Sequence, residues 1–231
     1  MIACLIPAHN EAPRLPAVLA AVLGHPAISR VLVIDDGSTD GTAEVARAAG
    51  ASVLELRPNR GKTAALAAGI RAVDEDHLLL IDADLLGLTP DAITALVDPV
   101  TNGRAAVSLS LRGNAPGLWR AIGVDYLTGE RLIPRALIAP HLERLDQLPR
   151  FGFEVFLNGL IRQAGLRVAV VRWPAVASPL KSAKHGFWAG IVADLRMMRD
   201  IFRTIPPMVA LAQIFWLRRG GGSDLRPSRQ S

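Results

Sequence analysis

The sequence predicts an α/β fold with a mainly parallel central sheet flanked by helices. Three observations carry that prediction. Short apolar segments alternate with Ala- and Leu-rich helical segments along the first 90 residues, at the spacing of right-handed β–α–β crossovers. Those segments are short and mostly apolar, as strands buried on both faces are. A polar cluster follows the strands, and in open parallel sheets ligands sit outside the carboxyl ends of strands.

Each element has its own reason. Residues 2–6 (IACLI) read as the first strand and Pro7–Glu11 as a turn. Residues 15–23 are rich in Ala, Leu and Val and read as a helix. Residues 31–34 (VLVI) form a second strand that stops at Asp35-Asp36-Gly37-Ser38. Thr39 or Asp40 is placed to cap a helix running to about Ala49. Residues 53–56 are a third strand, Gly61-Lys62-Thr63 opens an Ala-rich helix to about Val73, and residues 78–81 are the fourth strand. Beyond residue 100 the pattern is less regular, with a strand at 105–111, helices at 118–127 and 153–164, and a strand at 167–172. Residues 187–203 carry an amphipathic stripe at 188, 191, 192, 195, 198 and 202, ended by Pro206-Pro207. Residues 208–217 are a second apolar helix, too short for a bilayer, which takes about 20 residues. The expected division is a catalytic domain over 1–180, a basic amphipathic helical extension over 181–219 and a flexible tail over 220–231.

Half of the 231 residues are hydrophobic, enough for one sizeable core. The single cysteine, Cys4, lies in an apolar run and reads as core packing; it permits no disulfide framework within the chain and points to a reducing, cytoplasmic setting. The N-terminal apolar run lacks a basic flank and is too short for a signal peptide. Net charge is unevenly spread. Residues 181–231 hold nine Lys/Arg against three Asp, a net +6, which leaves the first 180 residues at −1 in a chain of +5. A basic tail suits an anionic partner. The aromatic-plus-basic alternation of single-strand binders is missing, so nucleic acid is not expected.

The sequence RGKT (60–63) invites a phosphate-loop reading, but the glycine required five residues before Gly61 is Leu56. No dinucleotide fingerprint follows the first strand either. Gly61 and Lys62 can still meet a phosphate at a helix N-terminus, or be a loop glycine and a solvated lysine. Of the adjacent acids Asp35 and Asp36, one can face the sheet edge and accept from a ribose hydroxyl or a base N–H; a plain turn is the alternative. Asp82 and Asp84 lie two apart where the fourth strand leaves the core, so both carboxylates point one way and repel. A divalent cation on a diphosphate would neutralise them, since Mg²⁺ and Mn²⁺ take one or two carboxylates plus substrate phosphates. The plainer reading is one acid capping a turn and the other paired with a basic side chain.

Taken together, IPAHNEA (6–12), VIDDGSTDGT (33–42), NRGKTAALAAGI (59–70) and LLLIDADLLGLTP (78–90) resemble a family 2 glycosyltransferase of GT-A fold. The resemblance covers about residues 1–180. TGERLIPRAL (128–137) and FGFEVFLNGL (151–160) extend it and resemble acceptor-side segments of bacterial polyprenyl-phosphate and cell-envelope sugar transferases. His9 departs from the Tyr or Phe common in that family, which would alter stacking near the nucleobase. The resemblance implies that Pro7, Ala8 and Glu11 line the nucleoside pocket, Asp36 binds base or ribose, and Lys62 approaches the nucleotide. It also implies that Asp82, next to Ala83, contacts ribose and that Asp84 holds Mg²⁺ or Mn²⁺ on the donor diphosphate.

Glu154 is the candidate catalytic residue, either as the base that takes the acceptor proton or as an orienting group, should the acceptor be an already ionised lipid phosphate. A plain first-turn acid suiting the helix dipole is the alternative. His185 is a candidate third metal ligand, with a solvated histidine as the alternative. Arg131, Lys181 and Lys184 are candidate acceptor-side residues, Arg131 being equally readable as a structural ion pair. Trp188 and Trp216 suit a bilayer interface, and the C-terminal helices suit docking on an anionic membrane or packing on the domain.

The function expected is a metal-dependent, inverting transfer from a nucleotide-diphosphate sugar to a lipid-linked or envelope acceptor, in a cytoplasmic enzyme peripheral to the inner face of the cell membrane. Two other classes stand beside it. A nucleotidyltransferase acting on a sugar phosphate usually carries a Gly-rich loop after the first strand, where this chain has PAHNEA. A non-catalytic nucleotide-sugar or membrane binder would not need Asp82, Asp84 and Glu154 intact.

Overall fold

A computed structural model describes residues 1–145, 148, 152–179 and 205–220. The first half is a regular alternation: β1 (Ile2–Ala8), α1 (Leu15–Val22), β2 (Arg30–Asp36), α2 (Thr42–Ala48), β3 (Ser52–Leu56), α3 (Lys62–Arg71), β4 (His77–Leu80) and α4 (Pro90–Thr101). The second half holds β5 (Val107–Arg112), α5 (Gly117–Ile122), β6 (Arg131–Pro134), α6 (Arg135–Ile138), α7 (Leu142–Leu145), α8 (Gly152–Gln163), β7 (Val168–Trp173) and α9 (Pro207–Arg218).

The strands form one seven-stranded sheet in the order β3-β2-β1-β4-β6-β5-β7. β1, β2, β3 and β4 are mutually parallel, and β7 runs parallel to β5. β6 alone is reversed, antiparallel to both β4 and β5. The expected α/β class and mainly parallel sheet are therefore observed.

Alternation along each strand divides the core into two layers. Ala3 and Leu5 of β1 face one side with Leu32, Ile34, α3, α8 and α9. Ile2, Cys4 and Ile6 face the other with Val31, Val33, α1 and α4. Cys4 is fully buried, as its apolar setting suggested.

Four local expectations need correcting. The helix after β2 is not capped by Thr39 or Asp40 but begins after Gly41, whose φ of 84° places it in the left-handed region. Asp40 instead accepts from the Thr42 amide and hydroxyl and from the Ala12 amide. The helix read over 118–127 stops at Ile122, because Gly123 takes a φ of 85° and closes it. α4 was not foreseen, although Thr89 caps it by accepting from the Ala92 amide and Pro90 opens it. β6 was not foreseen as a strand. The stripe at 187–203, with Trp188, and residues Lys181, Lys184 and His185 lie outside the described residues.

Candidate active site

The sheet order reverses between β1 and β4: one run of crossovers proceeds to β2 and β3, and the next returns to the far side of β1. The carboxyl ends of β1 and β4 therefore flank a crevice. An open cavity of about 790 Å³ occupies it. Pro7, Ala8, Glu11, Asp36, Lys62, Asp82, Ala83, Asp84 and Glu154 all line this cavity. Residues read from five separate segments of sequence thus line one cavity.

The first two segments are stapled to each other. Asn10, at a φ of 57°, donates its amide to the Ser38 hydroxyl at 2.9 Å and accepts from the Thr39 amide at 2.9 Å. The Glu11 amide donates to the Thr42 hydroxyl. His9 holds Nδ1 2.9 Å from the Asp36 carbonyl, so this nitrogen carries the proton; Nε2 then accepts from the Asn10 side chain at 3.3 Å. Gly37 is required where β2 ends: its φ is 73°, and a Cβ there would meet the Asn59 amide nitrogen at 2.9 Å.

Asp36 is buried, and its carboxylate accepts from the Arg60 amide at 2.9 Å and the Gly61 amide at 2.7 Å. The residue expected to read the nucleoside is thus already engaged in folding the loop that starts α3. Lys62, the first residue of α3, is thereby aimed across the crevice. Its ammonium donates to Asp82 Oδ1 at 2.6 Å and lies 3.4 Å from Glu154 Oε1. Burial works against that ammonium, but Asp82 and then Glu154 outweigh it, and the pKa is raised.

Asp82 and Asp84 are not equivalent. Burial opposes ionisation of Asp82, yet Lys62 wins and holds its pKa below the usual carboxylate value. Burial first and the Asp82 charge second raise the pKa of the neighbouring Glu130. Ser110 and Thr128 hydroxyls each donate to Glu130 Oε2 at 2.6 Å. Gly129 passes so close that a Cβ would stand 2.6 Å from Asp82 Oδ1 and 2.7 Å from Lys62 Nζ.

Asp84 has no hydrogen bond or ion pair among the described residues, and its pKa is raised by burial, then by Asp82 and Glu11. It is a carboxylate at a cavity wall with like charges behind it, the setting in which a cation is most stabilising. Among the described residues no group of three or more His, Cys, Asp or Glu side chains could hold a metal alone. The donor set fits an ion that takes few protein ligands and completes its shell from substrate oxygens. His185 cannot be placed, since it lies outside the described residues.

Arg131 needs correction. It is fully buried and does not line the cavity. Its Nε donates to the Thr128 carbonyl at 2.7 Å, Nη1 to Asn158 Oδ1 at 2.6 Å and Nη2 to the Tyr126 carbonyl at 3.2 Å. It braces the wall from behind, which matches the structural reading of this arginine rather than a cavity contact. Arg112, at the end of β5, does line the cavity, as Arg60 does; it is paired with Asp125 at 3.3 Å and Glu130 at 3.4 Å and donates to the Ser178 hydroxyl. Sequence reasoning missed Arg112, Asp125, Glu130 and Trp119. The available signal was the density of charged residues in the irregular 112–131 stretch, which has no periodicity to place them.

The glycosyl transferase family 2 pattern matches residues 3–150, and the chain belongs to that family. Its fold is of the GT-A type, and its family is one of glycosyltransferases, the EC 2.4 class. Among sequence relatives, 4,4'-diaponeurosporenoate glycosyltransferase of Staphylococcus aureus is 33% identical over 99 residues, covering 41% of this chain and 26% of that protein. The chain matches about a quarter of the length of these curated relatives. Glucosyl-3-phosphoglycerate synthase from Mycobacterium tuberculosis, solved with Mn²⁺ and UDP-glucose, superposes with a TM-score of 0.67 at 25% identity, covering 88% of this chain and 79% of that one. The same enzyme with Mn²⁺, UDP-glucose and phosphoglyceric acid gives a TM-score of 0.68 at 24% identity.

Proposed function

We propose that this protein transfers a glycosyl group from a nucleoside-diphosphate sugar to a lipid-linked or envelope acceptor, using Mg²⁺ or Mn²⁺. The observation that carries the proposal is Asp84: a carboxylate at the cavity wall with no hydrogen bond or ion pair among the described residues, two residues from an Asp82 already neutralised by Lys62. Its unmet charge suits a divalent cation shared with a diphosphate. The solved relative that binds Mn²⁺ with UDP-glucose supports the same donor class.

Pro7, Ala8, His9 and Glu11 would wall the nucleoside side of the cavity, with Asp36 fixing the loop between it and Lys62. Asp84 would hold the metal, which supplies charge neutralisation for the departing diphosphate. Glu154 is buried in the first turn of α8 and shares Lys62 with Asp82, which suits an orienting carboxylate better than a free base. An acceptor oxygen that is already ionised, as in a lipid phosphate, needs no base. Its attack opposite the leaving group would invert the anomeric carbon, which the anomeric proton coupling of the product reports.

A membrane-surface setting is supported by α9. Its inner face is buried through Ala210, Gln213, Ile214 and Leu217, while Met208, Leu211 and Phe215 lie exposed along one outer stripe. Arg218 and Arg219 follow, with the Arg219 guanidinium 4.0 Å from the Phe215 ring centroid. Among the described residues no helix is long and apolar enough to cross a membrane. An apolar stripe ending in arginines instead suits lying on an anionic surface.

The direct test is Asp84→Ala. Turnover of NDP-sugar in Mn²⁺ should fall by about a hundredfold to a thousandfold, the scale of losing a principal electrostatic group, with the circular dichroism spectrum unchanged. Full turnover by the variant would remove the metal assignment.

A further inference from the structure

The family match ends at residue 150, yet α9, at 207–218, contributes a polar side chain to the interior. Gln213 sits on the core-facing side of α9 and is 4% exposed. A buried amide is costly unless bonded. Its Oε1 accepts from the hydroxyl of Tyr126 at 2.5 Å, and Tyr126 is itself fully buried.

Tyr126 is the hub of the segment that walls the cavity opposite β1. Its ring packs 5.8 Å from that of Trp119, a cavity residue. Its carbonyl accepts from Asn158 at 2.9 Å and from Arg131. Asn158 lies one helical turn beyond Glu154 on α8, so the same node fixes the helix that carries Glu154. On either side of Tyr126, Asp125 holds Arg112, and Leu127 lines the cavity. Further on, Gly129 lies against the Lys62–Asp82 pair, and Glu130 pairs with Arg112.

We propose that Gln213 is a positioning residue for the transfer reaction: through the Tyr126 hydroxyl, the C-terminal helix sets the position of segment 125–130 and so the spacing between the Lys62–Asp82–Glu154 group and the opposite wall. The proposal rests on the donor-site reading only in its kinetic consequence. The nucleoside side is built by β1, β2 and α3, and among the described residues no hydrogen bond joins Gln213 to it, so substitution there should separate turnover from nucleotide binding.

The experiment uses the full chain with Gln213→Leu, Tyr126→Phe, the double variant, and Gln213→Glu, which keeps an acceptor oxygen at the same reach. Amide hydrogen exchange over residues 123–131 should quicken by about tenfold or more in Gln213→Leu, with residues 30–71 unchanged. UDP-glucose turnover should fall by about tenfold while the Kd for UDP with Mn²⁺ stays within about twofold. Tyr126→Phe should match it, the double variant should add little, and Gln213→Glu should recover much of the loss. The idea is overturned if 123–131 exchanges as in the parent, if the two single effects add, or if UDP affinity falls in step with turnover. If the parent turns over no NDP-sugar, the transferase reading fails and the exchange measurement alone decides this one.

Discussion

At the scale of single residues, two aspartates on one extended stretch meet different fields. Asp82 is neutralised by Lys62 at 2.6 Å, whereas Asp84 faces the cavity with Asp82 and Glu11 as like charges. The fold therefore favours the protonated form of Asp84. Its pKa is raised above the ordinary 3.8, so the metal-free native state binds more protons than the unfolded chain across that interval, and stability falls as pH rises through it. Near neutral pH the charge is a net cost to folding. Asp84→Asn should therefore melt higher than the parent without metal, by roughly 2–4 °C if about 1 kcal/mol is relieved, and Mn²⁺ with UDP should no longer raise its melting temperature. A metal-free melting point below the parent's would contradict this account of Asp84.

At the scale of elements, the crevice depends on how the β3–α3 loop is held. Asp36 accepts from two successive amides, at Arg60 and Gly61, and so directs α3 and Lys62 toward Asp82. An amide in that place would turn one N–H against a backbone N–H. Asp36→Asn should thus cost about 1–3 kcal/mol in urea unfolding and also weaken UDP binding; unchanged stability would show that this carboxylate is not what holds the loop. The strands of the first half were legible because they are short, mostly apolar and followed by polar residues: VLVI and LLLI, with Asp35-Asp36 and Asp82-x-Asp84 behind them. β6 was not legible. Only four residues long, RLIP offers no period, and its burial comes from lying between β4 and β5, a non-local fact. The same holds for Arg131. In TGERL it reads as a surface charge, and only the fold shows three of its N–H groups turned to Thr128, Asn158 and Tyr126.

At the scale of the molecule, a GT-A core within the family-matched segment is extended by α8, β7 and α9, and the last carries both an internal anchor and an outward apolar stripe. Vesicles with about one third anionic lipid should sediment the protein, and replacing Met208, Leu211 and Phe215 by serine should weaken that association by about tenfold or more, leaving soluble UDP-sugar turnover intact. Equal sedimentation of parent and variant would place any membrane contact elsewhere. The side of the cavity at β1 and β4 was legible because its residues follow strand ends. The opposite wall, from Arg112 to Glu130, was not, because its residues meet only through reversed β6 and the turn after α5. The central claim, that Asp84 binds a divalent cation carrying a nucleotide diphosphate, is tested most directly by calorimetric titration of UDP-, GDP- and dTDP-sugars into the parent and Asp84→Ala, with and without Mn²⁺. The account predicts that at least one of these donors binds the parent, tightly only with Mn²⁺, and that Asp84→Ala loses the Mn²⁺ dependence. Binding that is equally tight with and without Mn²⁺, or equally Mn²⁺-dependent in both proteins, would contradict it.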